Sequence, residues 1–533
     1  MANRRLVIRG GFLVDGTGQP GNAADLLVVG DRIDAIGHVG SASDELTIDA
    51  SGCIVAPGFI DVHSHADFTI LAFPSAESAI MQGVTTIVVG NCGGGVAPAF
   101  RARDVRRVAF GYSSAWGIDI TWRTFGEYLG HLRDIAVNVA ALIPHGAVRN
   151  AIMGLEDRPP QTRELARMKR LVEQAMDDGA AGLSTGLEYQ PGCHAAPEEI
   201  EMLVRAVSER DGFYATHMRN RAEAFADSTR EALDVGRRTG ARVQLSHVAP
   251  RPYAPPDQTE RAFELIQTSR DAGAPLWVDT FPETWGPGLL GDLFPRDVMG
   301  GAPKDVLRRL RRPDARRHVA TQFAAERNFL VRAGGYETIF VASHPTRPDY
   351  NGRSLPELAR SNGKTIAGWS CDAMAEADTL FNSIAIRHVY ATDDDLDQVL
   401  ALPFCSLGSD GVVTSGEADD CRYLWNASTY GYAPRTLVHY SREGRLFTIE
   451  EAVRRLSALP AEAVGLRDRG VLREGAAADV VVLDLPELRD RTTPADMARY
   501  PTGIRDVLVN GVPVVANGRS TGRLPGRLVS PGS

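Results

Sequence analysis

The sequence predicts an α/β protein built around a (β/α)8 barrel, with a smaller β domain assembled from both ends of the chain. Three observations predict it. Between Gly58 and about Gly411, short apolar runs alternate with longer amphipathic helical stretches, the signature of repeated βα units and a parallel sheet. Eight such runs can be counted, the number that closes a barrel. At both termini the texture is instead that of short alternating strands broken by Gly and Asn-Gly turns.

Taken in order, the first segments are "RRLVIRGGFLVDG", "ADLLVVGDRIDAIG" and "LTIDASGCIVAPG", which predict a small antiparallel sheet. The barrel runs follow as "GFIDVHSH", "TTIVVGNC", "VNVAALIPHG", "GAAGLSTG", "DGFYATH", "ARVQLSH", "PLWVDTF" and "PFCSLGSDG", with helical stretches such as 162–178, 197–210 and 219–239 between them. A ninth strand-like run, "TIFVAS", falls between the seventh and eighth. We therefore read residues 282–366, rich in Gly, Pro and Arg, as an insertion that could lie over the barrel mouth as a lid. The expected division is a barrel over 58–411 and a β domain from 1–57 and 412–533, the latter part carrying helices as well. "GVLREGAAADVVVLD" and "IRDVLVNGVPVVANGRS" supply the C-terminal strands.

Composition narrows the function classes. Hydrophobic residues make up 44% and charged residues 23% of 533, an ordinary balance for a folded soluble chain. No run of 18 apolar residues and no signal-length apolar segment at the N-terminus is present, so no membrane association is expected and a cytoplasmic location is the default. A formal net charge of −9 argues against nucleic acid as a partner, despite the basic cluster "RRLRRPDARR" at Arg308–Arg317, which reads as a solvated helix and turn. Six scattered cysteines do not make a disulfide framework. "GGG" at Gly93–Gly95 lacks the Lys-Ser/Thr of a phosphate loop.

Barrel chemistry sits at the C-terminal ends of the strands. Those ends contribute His63 and His65 from the first run, Cys92 from the second, His217 from the fifth, His247 from the sixth and Asp410 from the eighth. Residues i and i+2 of a strand share a face, so the two imidazoles of His63 and His65 can grip one metal ion. Imidazole and thiolate donors together favour zinc over magnesium or calcium, and the glycines of "GNCGGG" let the backbone of Cys92 bend toward an ion. Cys53, Cys193, Cys371, Cys405 and Cys421 read as small buried hydrophobes. Asp410 can ligate the metal, and it can also take a proton from water whose pKa the ion lowers and hand it to a leaving nitrogen. The reaction class is metal-assisted hydrolysis. His145 in "IPHG" fits a site contact or a structural hydrogen bond equally.

The motifs "APGFIDVHSHAD", "GVTTIVVGNCG", "HGAVRNAIMG", "GAAGLSTGLEYQPG", "YATHMRN", "VQLSH", "NGRSLPELA", "LGSDG", "RGVLREGAAADVVVLD" and "GIRDVLVNGVPVV" resemble, nearly end to end, the D-aminoacylase (N-acyl-D-amino-acid deacylase) family of the amidohydrolase superfamily. The resemblance implies a distorted barrel joined to a small β-sandwich made from both termini. It implies a tightly bound zinc on His217, His247 and Cys92, and a second, weaker position lined by His63, His65, Cys92 and Asp410, with Asp410 as general base and acid. It implies hydrolysis of a small acyl amide to a free D-amino acid and a carboxylate, with Tyr189 facing the substrate.

The departures concern the substrate. The lysine that the family usually carries two residues after the sixth-strand histidine is Ala249 here, the usual Tyr-Pro-Tyr is Phe281-Pro282-Glu283, "HMRDE" has become "HMRNR", and the "HPR" expected after "SDG" is missing. Either Arg251, Arg219 or Arg221 has taken over the substrate carboxylate, which a guanidinium grips bidentately, or the substrate has no such group. His344 and Arg353, in the insertion near the mouth, are further substrate candidates. Two other readings remain open at this point: a sibling hydrolase acting on a cyclic amide, a dipeptide or a specialised metabolite, and a non-catalytic relative. A homo-oligomer is compatible with the sequence.

Overall fold

The computed structural model describes residues 5–40, 46–100, 109, 118–300, 303–378, 384–416, 426–444, 446–493 and 496–532. Cys421 lies outside the described residues. Eight parallel strands form the body: β1 (Phe59–Asp61), β2 (Val84–Val89), β3 (Asn138–Pro144), β4 (Gly182–Gly186), β5 (Phe213–His217), β6 (Arg242–Leu245), β7 (Leu276–Thr280) and β8 (Cys405–Leu407). Each pairs with its neighbour in sequence order, and all eight are short, continuous and buried, as a sheet covered on both faces requires. The seam between β1 and β8 closes just past the assigned strands. Asp410 N–H donates to the His63 carbonyl (2.9 Å) and His65 N–H to the Gly411 carbonyl (2.7 Å). The sheet is thus a nearly closed barrel, and its closing bonds run through residues singled out from the sequence.

Helices such as Thr162–Asp177, Pro197–Ser208 and Phe225–Thr239 pack around it, each with one apolar stripe turned inward. The helix Ala458–Val464 and the C-terminal Val529 join Ile60, Val88, Leu142 and Phe213 in one apolar cluster.

Both termini build one nine-stranded sheet. Ile54–Pro57 pairs antiparallel with Val480–Leu483, so that a strand from each end meets at the centre. This is the separate small β domain. It is fastened to the barrel by buried Asp479, which accepts from Asn138 Nδ2 (3.0 Å), Arg469 Nη1 (2.5 Å) and the Asn510 N–H (2.7 Å). No described helix is long and apolar enough to cross a membrane.

The chain between β7 and β8 differs from a simple lid over 282–366. Trp285–Leu289, Ala385–Val389 and Phe340–Ser343 form an antiparallel sheet of their own, with Ala385–Val389 in the middle. The run "TIFVAS" is therefore a strand outside the barrel. The unit extends past Ile366 because the helix Ile366–Glu376, through Trp369, and the strand Ala385–Val389 share its core with Leu290, Phe294 and Phe323.

Candidate metal centre and substrate cavity

The strand-end residues converge. His63, Cys92 and His247 bring one donor atom each within 4.8 Å of one another, and so do His63, His65 and Asp410. Cys92 Sγ lies 3.2 Å from His63 Nε2 and 3.3 Å from His247 Nε2. Asp410 Oδ1 lies 3.0 Å from His65 Nε2 and 3.6 Å from His63 Nε2. His63 belongs to both groups. His217 stacks edge-on to His247, ring centres 4.5 Å apart, but its Nε2 is turned to the Glu188 carboxylate at 2.8 Å. His217 thus stands beside this group and contacts both the Cys92 thiol and the Glu188 carboxylate.

Backbone strain accompanies the convergence. Cys92 (φ 54°), His247 (φ 35°) and Asp410 (φ 46°) all adopt left-handed conformations, which cost a non-glycine residue on the order of 1–3 kcal/mol unless the surroundings impose them. At Cys92 the neighbouring glycines make this feasible. A Cβ on Gly90 would stand 2.1 Å from the Leu142 carbonyl, and one on Gly93 would stand 2.5 Å from the Gly186 nitrogen. The turn is thus pressed against β3 and β4.

Electrostatics match a thiolate ringed by imidazoles. Burial raises the Cys92 thiol, but the charges of His63 and His247 overcome it and hold it well below the ordinary thiol value. Burial pulls His65 down, yet its bonds to Asp410 and Cys92 lift it to about 9. Burial, together with the charges of His217 and Arg221, drops His247 to about 4. Asp410 is depressed despite burial, chiefly by its bond from His65. Three imidazoles, one thiolate and one carboxylate form a donor set suited to zinc.

Above the centre opens a cavity of about 540 Å³, floored by His65, Cys92, His217, His247 and Asp410 and roofed partly by Phe294, Phe329 and His388 of the inserted unit. Tyr189 lines it, its hydroxyl donating to the Cys92 carbonyl (2.7 Å). Arg251 is buried and donates to Glu188 Oε2 (2.7 Å), while its guanidinium lies over the Phe329 ring. Arg221, also buried, donates to the carbonyls of His247 (2.5 Å) and Ala249 (3.2 Å). Among the described residues it has no carboxylate at ion-pair distance. Burial and the nearby Arg251 lower its pKa, and burial with the charge of Arg251 depresses His388 to about 3.

Other sequence candidates are spent elsewhere. Arg219 touches the cavity wall, but its guanidinium is taken up by Glu231 and by the carbonyls of Cys193 and Ala195. His344 is buried against the Ala373 carbonyl, and Arg353 pairs with Glu357. Neither lines the cavity, because both face the inserted unit's own helices. His145 is committed to a buried bond with Glu199, which Arg149 shares. Two residues escaped the sequence reading. Glu188 stood in "GLEYQPG" beside Tyr189, and Asp279 was the one charge inside "PLWVDTF"; an acidic residue within an otherwise apolar strand is the signal that could have found it.

Comparison with known proteins agrees with this architecture. The amidohydrolase family model matches residues 46–265 and 398–515. N-acyl-D-glutamate deacylase of Alcaligenes xylosoxydans xylosoxydans is 34% identical, covering 98% of this chain and 96% of the relative. D-aminoacylase of the same organism is 32% identical, over 98% and 97%. The crystal structure of N-acyl-D-glutamate deacylase from Bordetella bronchiseptica, complexed with zinc and a phosphonate inhibitor, superposes with a TM-score of 0.80 at 31% identity, covering 99% of each chain.

Proposed function

The chain belongs to the amidohydrolase family, and from that premise we propose that it is a zinc-dependent hydrolase cleaving the amide of a small N-acyl-D-amino acid. It is a hydrolase of C–N bonds other than peptide bonds. The observation that carries the proposal is the convergence of His63, His65, Cys92, His247 and Asp410, of which all but His63 line one cavity. The D configuration rests on the relatives, named N-acyl-D-glutamate deacylase and D-aminoacylase.

The donor set fits zinc: Cys92 is held in its thiolate form, and His247 Nδ1 is buried without a hydrogen-bond partner. His63, Cys92 and His247 would hold one ion, with His217 beside them against the Cys92 thiol, and His63, His65 and Asp410 would form a second position. A zinc ion held there would lower the pKa of a water and polarise a carbonyl oxygen. Asp410 Oδ1, 3.0 Å from His65 Nε2, accepts the proton of the attacking water and delivers it to the departing nitrogen. His65 steadies that carboxylate between the two transfers. Tyr189, fixed by its bond to the Cys92 carbonyl, forms the adjoining wall.

The substrate carboxylate falls to Arg251 and Arg221. Of the two buried guanidiniums, Arg251 pairs with Glu188, while Arg221 has no carboxylate at ion-pair distance among the described residues, so a substrate anion beside Arg221 would neutralise its charge. This favours an N-acyl amino acid over a carboxyl-free amide. The apolar roof of Phe294, Met299 and Leu330 leaves room for an apolar group. The cytoplasm is the proposed location, which suits the described cysteines, all of them free. Measuring free amine released from matched N-acetyl D- and L-amino acids by zinc-loaded protein tests the reading, and activity confined to L-compounds would defeat it.

A further inference from the structure

The two candidate ligand groups meet at a residue that belongs to neither. Asp279, next to the end of β7, is 1% exposed. Its Oδ1 lies 3.1 Å from His63 Nδ1 and accepts from the main-chain N–H of His247 at 2.7 Å. Its Oδ2 lies 3.3 Å from His63 Nδ1 and accepts from Gln244 Nε2 at 2.5 Å. One carboxylate therefore holds the ring of a residue just after β1 and the backbone of a residue after β6.

Each contact has a consequence for metal binding. Both Asp279 oxygens accept N–H donors, from His247 and from Gln244, so His63 Nδ1 is the donor toward them, and Nε2 is the atom left facing Cys92 and Asp410 as the ligating one. At His247 the backbone is in the left-handed region, and its peptide groups are clamped on both sides. Asp279 takes the N–H, while the Tyr390 hydroxyl (2.7 Å) and Arg221 Nη1 (2.5 Å) donate to the carbonyl. That clamp keeps the ring 3.3 Å from Cys92 Sγ against the strain.

We propose that Asp279 is the positioning residue of the metal centre, setting the tautomer of His63 and the backbone of His247 together. It rests on the metal reading above and concerns binding of the ion before any substrate is present.

The test compares wild type, Asp279→Asn and Gln244→Leu in zinc binding by chelator competition. Melting of the metal-free proteins and the ring nitrogen resonances of His63 are recorded alongside. Asp279→Asn keeps the shape of the side chain and removes the charge. It should weaken zinc binding by about 10–100-fold and move the His63 ring away from the Nδ1-protonated tautomer. Gln244→Leu, which frees only Oδ2, should give a smaller loss in the same direction, and it serves as the readout if Asp279→Asn does not fold. A lowered melting temperature with unchanged zinc affinity and unchanged His63 resonances would make Asp279 merely structural and overturn the proposal. Wild type binding no zinc would instead defeat the metal reading itself.

Discussion

Arg251 Nη2 and Glu188 Oε2 form a buried ion pair at 2.7 Å, and the same Glu188 oxygen lies 2.8 Å from His217 Nε2. Glu188 is held ionised against the cost of burial, first by the charge of Arg251 and then by His217. The pair thus ties the guanidinium assigned to the substrate carboxylate to a residue of the candidate metal centre.

Removing Arg251 alone strands that carboxylate, a loss of roughly 3–5 kcal/mol for a broken buried pair. The double variant Arg251→Met/Glu188→Gln should therefore melt closer to wild type than Arg251→Met does. Steady-state kinetics on the double variant should show KM raised about 10–100-fold, the equivalent of one charge-assisted hydrogen bond or slightly more, for N-acyl amino acids and not for their carboxyl-amidated forms. Equal effects on both would take Arg251 out of carboxylate binding.

Asp410→Asn should keep the fold and the ion held by His63, Cys92 and His247, because none of those ligands changes. Turnover should fall by about 10²–10⁴-fold, the usual contribution of a positioned proton-transfer group. Metal analysis and kcat measured on the same preparation separate the two effects, and near-normal kcat would remove Asp410 from the mechanism.

Cys92→Ser replaces a thiolate by a hydroxyl that stays protonated. Zinc content should drop below one equivalent, and added zinc should no longer raise the melting temperature as it does when an ion binds the native state alone. Full zinc occupancy in the variant would show that the imidazoles suffice.

Glu283, in the segment that departs from the family pattern, gives a pH test of stability. Its carboxyl is buried and pushed up to about 7, a rise that Arg435 at 3.6 Å only partly offsets. An unfolded glutamate ionises near 4.5, so between roughly pH 4.5 and 7 the unfolded chain loses its proton first. The folded state is then penalised by up to about 3 kcal/mol, fully so above pH 7. Glu283→Gln should therefore melt higher than wild type at pH 8 and close to it near pH 4.5. Parallel melting curves across that range would mean that Glu283 is ionised in the folded protein.

Much of the centre was legible because a parallel barrel puts chemistry at strand ends. His63 and His65 stood out by i, i+2 spacing, Cys92 by its glycine turn, and His217, His247 and Asp410 by closing apolar runs. Asp279 carried one signal, a charge inside an apolar run, but its partners lie on other strands and come together only in the fold. The same holds for Glu188 and Arg251, which lie 63 residues apart and meet only over the barrel mouth. The inserted unit misled for another reason: its strand Ala385–Val389 pairs with segments far upstream, a register that local pattern does not carry.

The central claim is that this cavity hydrolyses an acyl amide bearing a carboxylate next to the cleaved bond. It is tested most directly by free-amine release from zinc-loaded protein across matched N-acetyl and N-formyl D- and L-amino acids, acidic and apolar, together with their carboxyl-amidated counterparts. The account predicts hydrolysis of D-compounds that carry the free carboxylate, with the amidated forms turned over poorly. Zinc-loaded protein that cleaves only the carboxyl-free amides, or none of the panel, would contradict it.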